Sequence, residues 1–115
     1  MKEPGAPTAA DLALLDPDGS FTRRLAADRA ALAALAPALD GGSVFPDDRA
    51  LAAIQLLAHR LAGAAGTFGH AAVGNIALDL EESVIGLRGG GADPAAASRH
   101  LAALLAALAA ALRLK

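Results

Sequence analysis

Apolar residues recur every three to four positions in four long segments of this chain, which is the spacing of helices with one buried face. The first segment follows Ser20, a residue type that favours helix N-caps, and the second is predicted to run from Asp47 to Phe68. The third is predicted over 71–87, and the fourth begins at Pro94 after a capping Asp93. The apolar stripes of the first and third segments comprise Phe21, Leu25, Leu32, Leu35 and Leu39, and Val73, Ile76, Leu80, Val84 and Leu87.

Short breakers separate these segments. Pro37 marks the end of the first helix, the run Gly41-Gly42 follows it, Gly69-His70 forms the bend after the second, and Gly89-Gly90-Gly91 ends the third. Because short loops join neighbouring antiparallel helices, we predict an all-α fold, an antiparallel up-and-down four-helix bundle. Residues 1–10 are predicted to be a flexible leader, and residues 11–115 a single domain with a short extra helical turn at 11–15.

The composition of the chain excludes several classes of function. A net charge of −2 and an aromatic content of 3% provide neither attraction nor stacking surface for nucleic acid. There are no cysteines, so disulfides and thiolate metal sites are excluded. The longest uncharged apolar run, 101–112, is shorter than the roughly 20 residues that cross a bilayer. We therefore expect a cytoplasmic protein with no nucleic acid or membrane partner.

His59 carries the most informative local context. On a helical wheel Ile54, Leu57, Leu61 and Phe68 lie opposite it, so His59 points away from the core. The residues predicted on its own side are mostly small: Gln55, Ala62, Gly63, Gly66 and His70. Each helical glycine costs about 1 kcal/mol relative to alanine. An ordinary surface histidine fits the wheel but does not explain these glycines, whereas a histidine that another protein must reach explains both.

The stretch resembles the histidine phosphotransfer (HPt) domains of bacterial and plant phosphorelays. The family pattern begins with a histidine and continues with a leucine, a glycine, two small residues, a large apolar residue and a second glycine. The matching residues are His59, Leu61, Gly63, Ala64, Ala65, Phe68 and Gly69. The next helix matches at Val73, Ala77, Leu80 and Glu81, so that the resemblance covers about 51–87.

The chain departs from the family at Ala62, where most members carry a lysine next to the phosphoryl group. Arg60 lies about 100° round the helix from His59, and it is either a contributor to the phosphoryl site or a solvated charge. His70 is predicted on the face of His59, about 16 Å away, too far to share a metal ion. His100 has no supporting motif and is interpreted as a surface residue.

The resemblance implies a phosphoryl carrier rather than an enzyme with its own ATP site. A neutral imidazole attacks phosphorus without a separate base. Glu81 is the family-matched group that would hold Nδ1–H and leave Nε2 to attack, although a solvated carboxylate is an equal alternative. The predicted partners are a histidine kinase or hybrid kinase and the receiver domain of a response regulator.

The predicted docking face for the receiver comprises Gln55, Leu56, Arg60, Ala62, Gly63 and Gly66. The chain has no acidic cluster suited to magnesium, so the Mg²⁺ is expected from the receiver domain, and no cofactor or metal site of its own is predicted. One exposed histidine and one docking face suit a monomer.

Two other classes of function compete with the phosphoryl carrier as interpretations of the sequence. An HPt-like module that binds and sequesters a receiver domain without turnover stays open because of Ala62. A helical metal or cofactor bundle would need paired Glu and Glu-x-x-His ligands, which the sequence lacks.

Overall fold

The computed structural model describes residues 14–39, 47–91 and 93–113. They form four long helices, α1 (Ser20–Leu35), α2 (Asp48–Thr67), α3 (Ala71–Arg88) and α4 (Pro94–Leu112), and α1 continues into a 3₁₀ turn at Ala36–Ala38. No strand occurs in these ranges, so the described part of the chain is all-α as predicted. The leader at 1–10, the Gly41-Gly42 break and most of the segment 11–15 lie outside the described residues.

The helices pack in a ring: α1 contacts α2, α2 contacts α3, α3 contacts α4, and α4 contacts α1. The interior holds aliphatic side chains from all four helices. The largest that are fully buried are Leu25, Leu32, Ile54, Leu61, Leu80, Val84, Leu104 and Leu108. Leu35 and Ile76, which were predicted in the stripes, are partly buried and pack against this core from its edge.

Helices α2 and α4 begin where the sequence predicts. The Asp47 carboxylate accepts a hydrogen bond from the Arg49 N–H, and the Asp93 carboxylate accepts one from the Ala95 N–H. Each side chain satisfies a backbone donor that the first turn of a helix leaves without a partner. Both caps therefore confirm the predicted starts to within one residue.

The predicted cap at Ser20 is wrong, because Ser20 is already the first helical residue and its side chain caps nothing. The buried Asp16 caps α1 instead. Its carboxylate accepts hydrogen bonds from the Phe21 N–H at 3.0 Å, the Thr22 N–H at 2.9 Å and the Thr22 hydroxyl at 2.7 Å. Burial favours a higher pKa for Asp16, but these hydrogen bonds and Arg23 hold the pKa below its usual value.

Gly69 ends α2 and turns the chain inward. Its φ of 83° lies in the left-handed region that favours glycine, and the His70 N–H donates back to the Ala65 carbonyl at 2.8 Å. His70 is consequently buried, with its ring 6.0 Å from that of Phe21. The prediction that His70 shares the face of His59 is wrong, because the wheel assumes that the helix continues beyond Thr67.

Helix α4 is long and apolar enough to cross a membrane when judged by length and composition alone. Core helices of soluble proteins pass the same test, so the length and composition of α4 are weak evidence for a membrane-spanning helix. In the fold α4 packs against α1 and α3, and its Leu101, Leu104 and Leu108 lie in the core.

Candidate functional site

His59 lies near the middle of α2, on the side of the helix that faces away from the core. The neighbouring Ala58 and Leu61 are buried, whereas the side chain of His59 is 71% exposed. This confirms the orientation that the helical wheel predicts. The exposed imidazole is open to a large partner as well as to a small molecule.

Glu81 of α3 reaches His59 from the neighbouring helix. Its Oε2 lies 2.7 Å from Nδ1 of His59, and its side chain is only 14% exposed. Because an ionised carboxylate can accept but not donate, this hydrogen bond favours the tautomer that carries its proton on Nδ1. In the neutral imidazole, Nε2 then carries the free lone pair.

Small residues let α2 and α3 approach closely enough for this pair. A Cβ placed on Gly74 would lie 3.5 Å from Cβ of Ala65 and 3.6 Å from the carbonyl oxygen of Ala62, in van der Waals contact with α2. The two helices run in opposite directions, since Asp48 at the start of α2 meets Arg88 at the end of α3. Residue 81 is thereby placed opposite residue 59.

Two grooves open on either side of the His59–Glu81 pair. The first, of about 430 Å³, lies towards the end of α2, and the second, of about 310 Å³, lies towards its start. The first groove is lined by His59, Ala62, Gly63, Gly66, Ala71, Gly74, Asn75, Leu78 and Glu81. The second is lined by Ala52, Gln55, Leu56, His59, Glu81 and Arg88.

Two glycines of the first groove, Gly63 and Gly66, are not required by packing inside the bundle. A Cβ on Gly63 or Gly66 would meet nothing within 4 Å. Both positions lie within a regular helix, where glycine is unfavourable. Their smallness therefore affects the outer surface beside His59 and leaves the core unchanged.

Exposed aliphatic side chains surround the pair. Leu56 of α2 is 56% exposed, and Leu78 and Ile85 of α3 are 46% and 49% exposed. Leu56 and Leu78 line the two grooves, and Ile85 shares the helical face of Glu81, which lies four residues before it. Exposed apolar residues arranged in this way are typical of an interaction surface. Leu56 is expected at this surface from the sequence, whereas Leu78 and Ile85 are not among the predicted residues. A helical wheel of α3 centred on Glu81 would have found both.

Arg60 is directed away from both grooves. Its Nη2 donates to Oδ1 of Asp28 on α1 at 3.1 Å, on the side of His59 opposite to Glu81. Asp28 is 5% exposed, and its Oδ2 has no hydrogen-bond partner within the described part of the chain. Burial raises the pKa of Asp28 against the attraction of Arg60 and Arg24. Arg60 thus partners a buried carboxylate, a role that the sequence analysis missed.

The other predicted site residues gather at the pair. Gln55, Leu56, Ala62, Gly63 and Gly66 all line one of the two grooves, so their placement fits a docking face, although their roles stay predictions. Arg88 is a further residue that the sequence analysis missed. His100, on α4, lines neither groove.

Comparison with known families gives a match over most of the chain. The family model of the Hpt domain matches residues 19–111. The chain belongs to the Hpt domain family. Neither the curated proteins nor the solved structures compared with it include a significant match.

Membership confirms the resemblance found in the sequence. Hpt domains are phosphotransfer carriers of two-component phosphorelays, and they interact with kinases and response regulators. The match begins at Gly19 and ends at Ala111, so it includes both grooves and all four helices except the last residue of α4.

Proposed function

We propose that this Hpt domain accepts a phosphoryl group on Nε2 of His59, from a histidine kinase or a receiver-domain aspartate, and passes it to a response regulator. The observation that carries the proposal is the exposed imidazole whose Nδ1 lies 2.7 Å from the partly buried carboxylate of Glu81. In this proposal the domain is a carrier on an antiparallel up-and-down bundle and works as a cytoplasmic monomer.

The transfer from an aspartyl phosphate needs no general base on this domain. The Nε2 lone pair attacks phosphorus, an N–P bond forms, and the bond from phosphorus to the aspartate oxygen breaks, so that the aspartate leaves as a carboxylate. The ring gains positive charge in this step while it keeps the Nδ1 proton. Glu81 offsets that charge through the existing hydrogen bond and holds the ring in the attacking orientation.

The receiver domain would dock over the two grooves. Ala62, Gly63 and Gly66 allow it to approach the helix closely, and the exposed Leu56 and Leu78 offer apolar contact at the rim. The Mg²⁺ and the acidic pocket of the reaction would come from the receiver. Among the described residues, no three His, Asp or Glu side chains lie together as a metal site.

The proposal is tested by incubating the domain with labelled receiver domains or a labelled hybrid kinase. We expect label on the wild type that is acid-labile and alkali-stable, as a phosphohistidine is, and no label on His59→Gln. His100→Gln is the matched control, because His100 lies outside both grooves. Label that survives in His59→Gln would contradict the assignment.

The role of Glu81 has its own variant. We expect Glu81→Ala to be labelled roughly 10–100-fold more slowly, in the range that loss of an orienting partner costs. Glu81→Gln keeps the size of the side chain and removes its charge. Its labelling rate therefore separates the electrostatic effect of Glu81 from its effect on the orientation of the imidazole. An unchanged rate in both variants would mean that Glu81 is a solvated carboxylate without a role in transfer.

A second candidate is a module that binds a receiver domain without turnover. Ala62 favours it, because no cation stands three residues after His59 to balance the phosphoryl charge. Receiver binding by the wild type without any label on His59 would support this alternative and contradict the carrier.

A further inference from the structure

Arg88 closes the second groove at the end of α3. Its Nη1 donates to Oε1 of Gln55 at 2.8 Å, and its Nε donates to Oδ1 of Asp48 at 2.9 Å. These contacts join the last turn of α3 to the first two turns of α2. By themselves, these hydrogen bonds of Arg88 with Gln55 and Asp48 form a polar clasp that holds α3 against α2.

The position of the clasp relative to His59 suggests a second role. Gln55 and His59 are four residues apart on α2, which is about 6 Å along the helix axis. Gln55, His59, Glu81 and Arg88 line one groove. A phosphoryl group on Nε2 would extend from the ring at the groove that Arg88 also lines, one helical turn from the Gln55 side chain that Arg88 contacts.

The site otherwise lacks positive charge. Ala62 and Gly63 are neutral, and Arg60 is bound to Asp28 on the other side of the helix. Among the described residues that line the two grooves, Arg88 is the one cation. A phosphoryl group with nearly two negative charges needs such a partner, and a guanidinium can bind two of its oxygens at once.

Arg88 can exchange partners at low cost. Arg88 holds Asp48 through two donors, Nε at 2.9 Å and Nη2 at the longer distance of 3.4 Å. The side chain of Asp48 is 71% exposed, however, and water screening weakens an ion pair with so exposed a carboxylate. The phosphoryl group carries more charge than Asp48 and offers charge-assisted bonds in the same fork geometry. The amide N–H groups of Gln55, whose Oε1 is the atom that accepts from Arg88, would donate to the same oxygens.

We propose that Arg88 leaves Asp48 and neutralises the phosphoryl group on His59, doing from α3 what a lysine beside the histidine does in most Hpt domains. This inference rests on the proposed function, because it requires a phosphoryl group on His59. It assigns Asp48 as the competitor that holds Arg88 in the unphosphorylated state.

The experiment uses phosphoramidate as the donor, so that receiver docking does not enter the rate. The Nε2 lone pair attacks phosphorus, the N–P bond to His59 forms, and the P–N bond of phosphoramidate breaks with release of ammonia. The initial rate of phosphohistidine formation and its half-life are measured for the wild type, Arg88→Gln, Arg88→Lys and Asp48→Asn. His59→Gln gives the background, and Arg99→Gln on α4 is the matched control for the loss of one positive charge.

We expect Arg88→Gln to form phosphohistidine about tenfold more slowly, less than the ~10²-fold or more that loss of a buried, preorganised donor costs. Arg88→Lys should lose less, since it keeps the charge and loses only the fork geometry. Asp48→Asn should be at least as fast as the wild type, because it frees Arg88. Thermal unfolding followed by circular dichroism checks that each variant is folded.

A slower reaction in Arg88→Gln without any slowing in Asp48→Asn distinguishes this role from a clasp. If Arg88 acted only by joining the helices, the two variants would break the same contact and slow the reaction together, and that result would overturn the inference. A wild-type rate in Arg88→Gln would overturn it as well. If the wild type itself takes no label on His59 from phosphoramidate or from a receiver, the proposed function fails and this inference fails with it.

Discussion

Replacing Gly63 and Gly66 together with alanine is expected to stabilise the domain and to slow phosphoryl transfer from a receiver. Both glycines lie inside α2, and a Cβ at either position would meet nothing within 4 Å. The new methyl groups therefore create no clash within the fold. They project into the groove that the receiver is proposed to enter.

The expected gain in stability comes from helix propensity. Glycine is about 0.8–1.0 kcal/mol less favourable than alanine within a helix, and the gain is smaller for Gly66 because it lies in the last turn. The sum is about 1.5 kcal/mol in the free energy of unfolding. For a domain of this size that corresponds to a rise in Tm of roughly 6 °C.

The expected loss in transfer comes from the partner. Two extra methyl groups in a close-packed contact cost about 1–3 kcal/mol, which is roughly a 5–150-fold slower transfer from a receiver domain. Labelling by phosphoramidate should stay within about twofold of the wild type, since a small donor does not fill the groove. Stability is measured by urea and thermal unfolding, and transfer by single-turnover labelling.

Two results would refute this reasoning. A less stable double variant would mean that the space around Gly63 and Gly66 is not open. A stabilised variant with an unchanged rate of transfer from the receiver would mean that the glycines are not there to admit a partner.

Three further predictions concern the fold. Asp16→Ala removes the acceptor for two backbone N–H groups of α1, and we expect the free energy of unfolding, measured with urea, to fall by about 1–2 kcal/mol. Arg60→Met leaves the buried Asp28 without its partner and should cost about 1–3 kcal/mol in the same assay, whereas Asp28→Leu/Arg60→Met should recover much of the loss. Burial lowers the pKa of His70 below its ordinary value of 6.5 despite the nearby Asp16, so the unfolded chain binds the proton more readily. The contribution of neutral His70 to the free energy of unfolding is therefore fully present above pH 6.5 and is lost as the pH falls through the lowered pKa. In a pH series of thermal unfolding, the Tm of His70→Gln should depend less on pH than that of the wild type.

Each of these has a result that would count against it. An unchanged urea midpoint of unfolding in Asp16→Ala would mean that water replaces the carboxylate without loss of stability. Additive losses in the double variant would mean that Asp28 and Arg60 do not interact. Asp28 changes stability with pH in the opposite sense, since its raised pKa favours the protonated form in the fold, so the His70 prediction depends on the difference between wild type and variant. Parallel curves for wild type and His70→Gln would contradict it.

Local rules predicted the ends of the helices well where the deciding atoms lie within a few residues of each other. Asp47 and Asp93 each cap a backbone N–H two residues on, and Gly69 and Gly90 stop their helices through a positive φ. The cap predicted at Ser20 was wrong because the residue that caps α1 is Asp16. It lies outside the window of three residues in which a cap is normally sought.

The face of α2 that carries His59 follows from the helical period alone, and so does the open surface beside it. Glu81 was found because the chain resembles a family in which that position is matched. The pairing of Arg88 with Asp48 and of Arg60 with Asp28 spans 40 and 32 residues, and no local pattern links them.

By itself, then, the sequence determined which helices form, which faces they bury and which histidine is left open, because each of these depends on spacing along one helix. Only the tertiary structure decided which charges meet across helices, because that depends on how far one helix is shifted along another. It also decided that His70 turns inward, since the direction of the chain after Gly69 depends on a backbone angle and on the space beside Phe21.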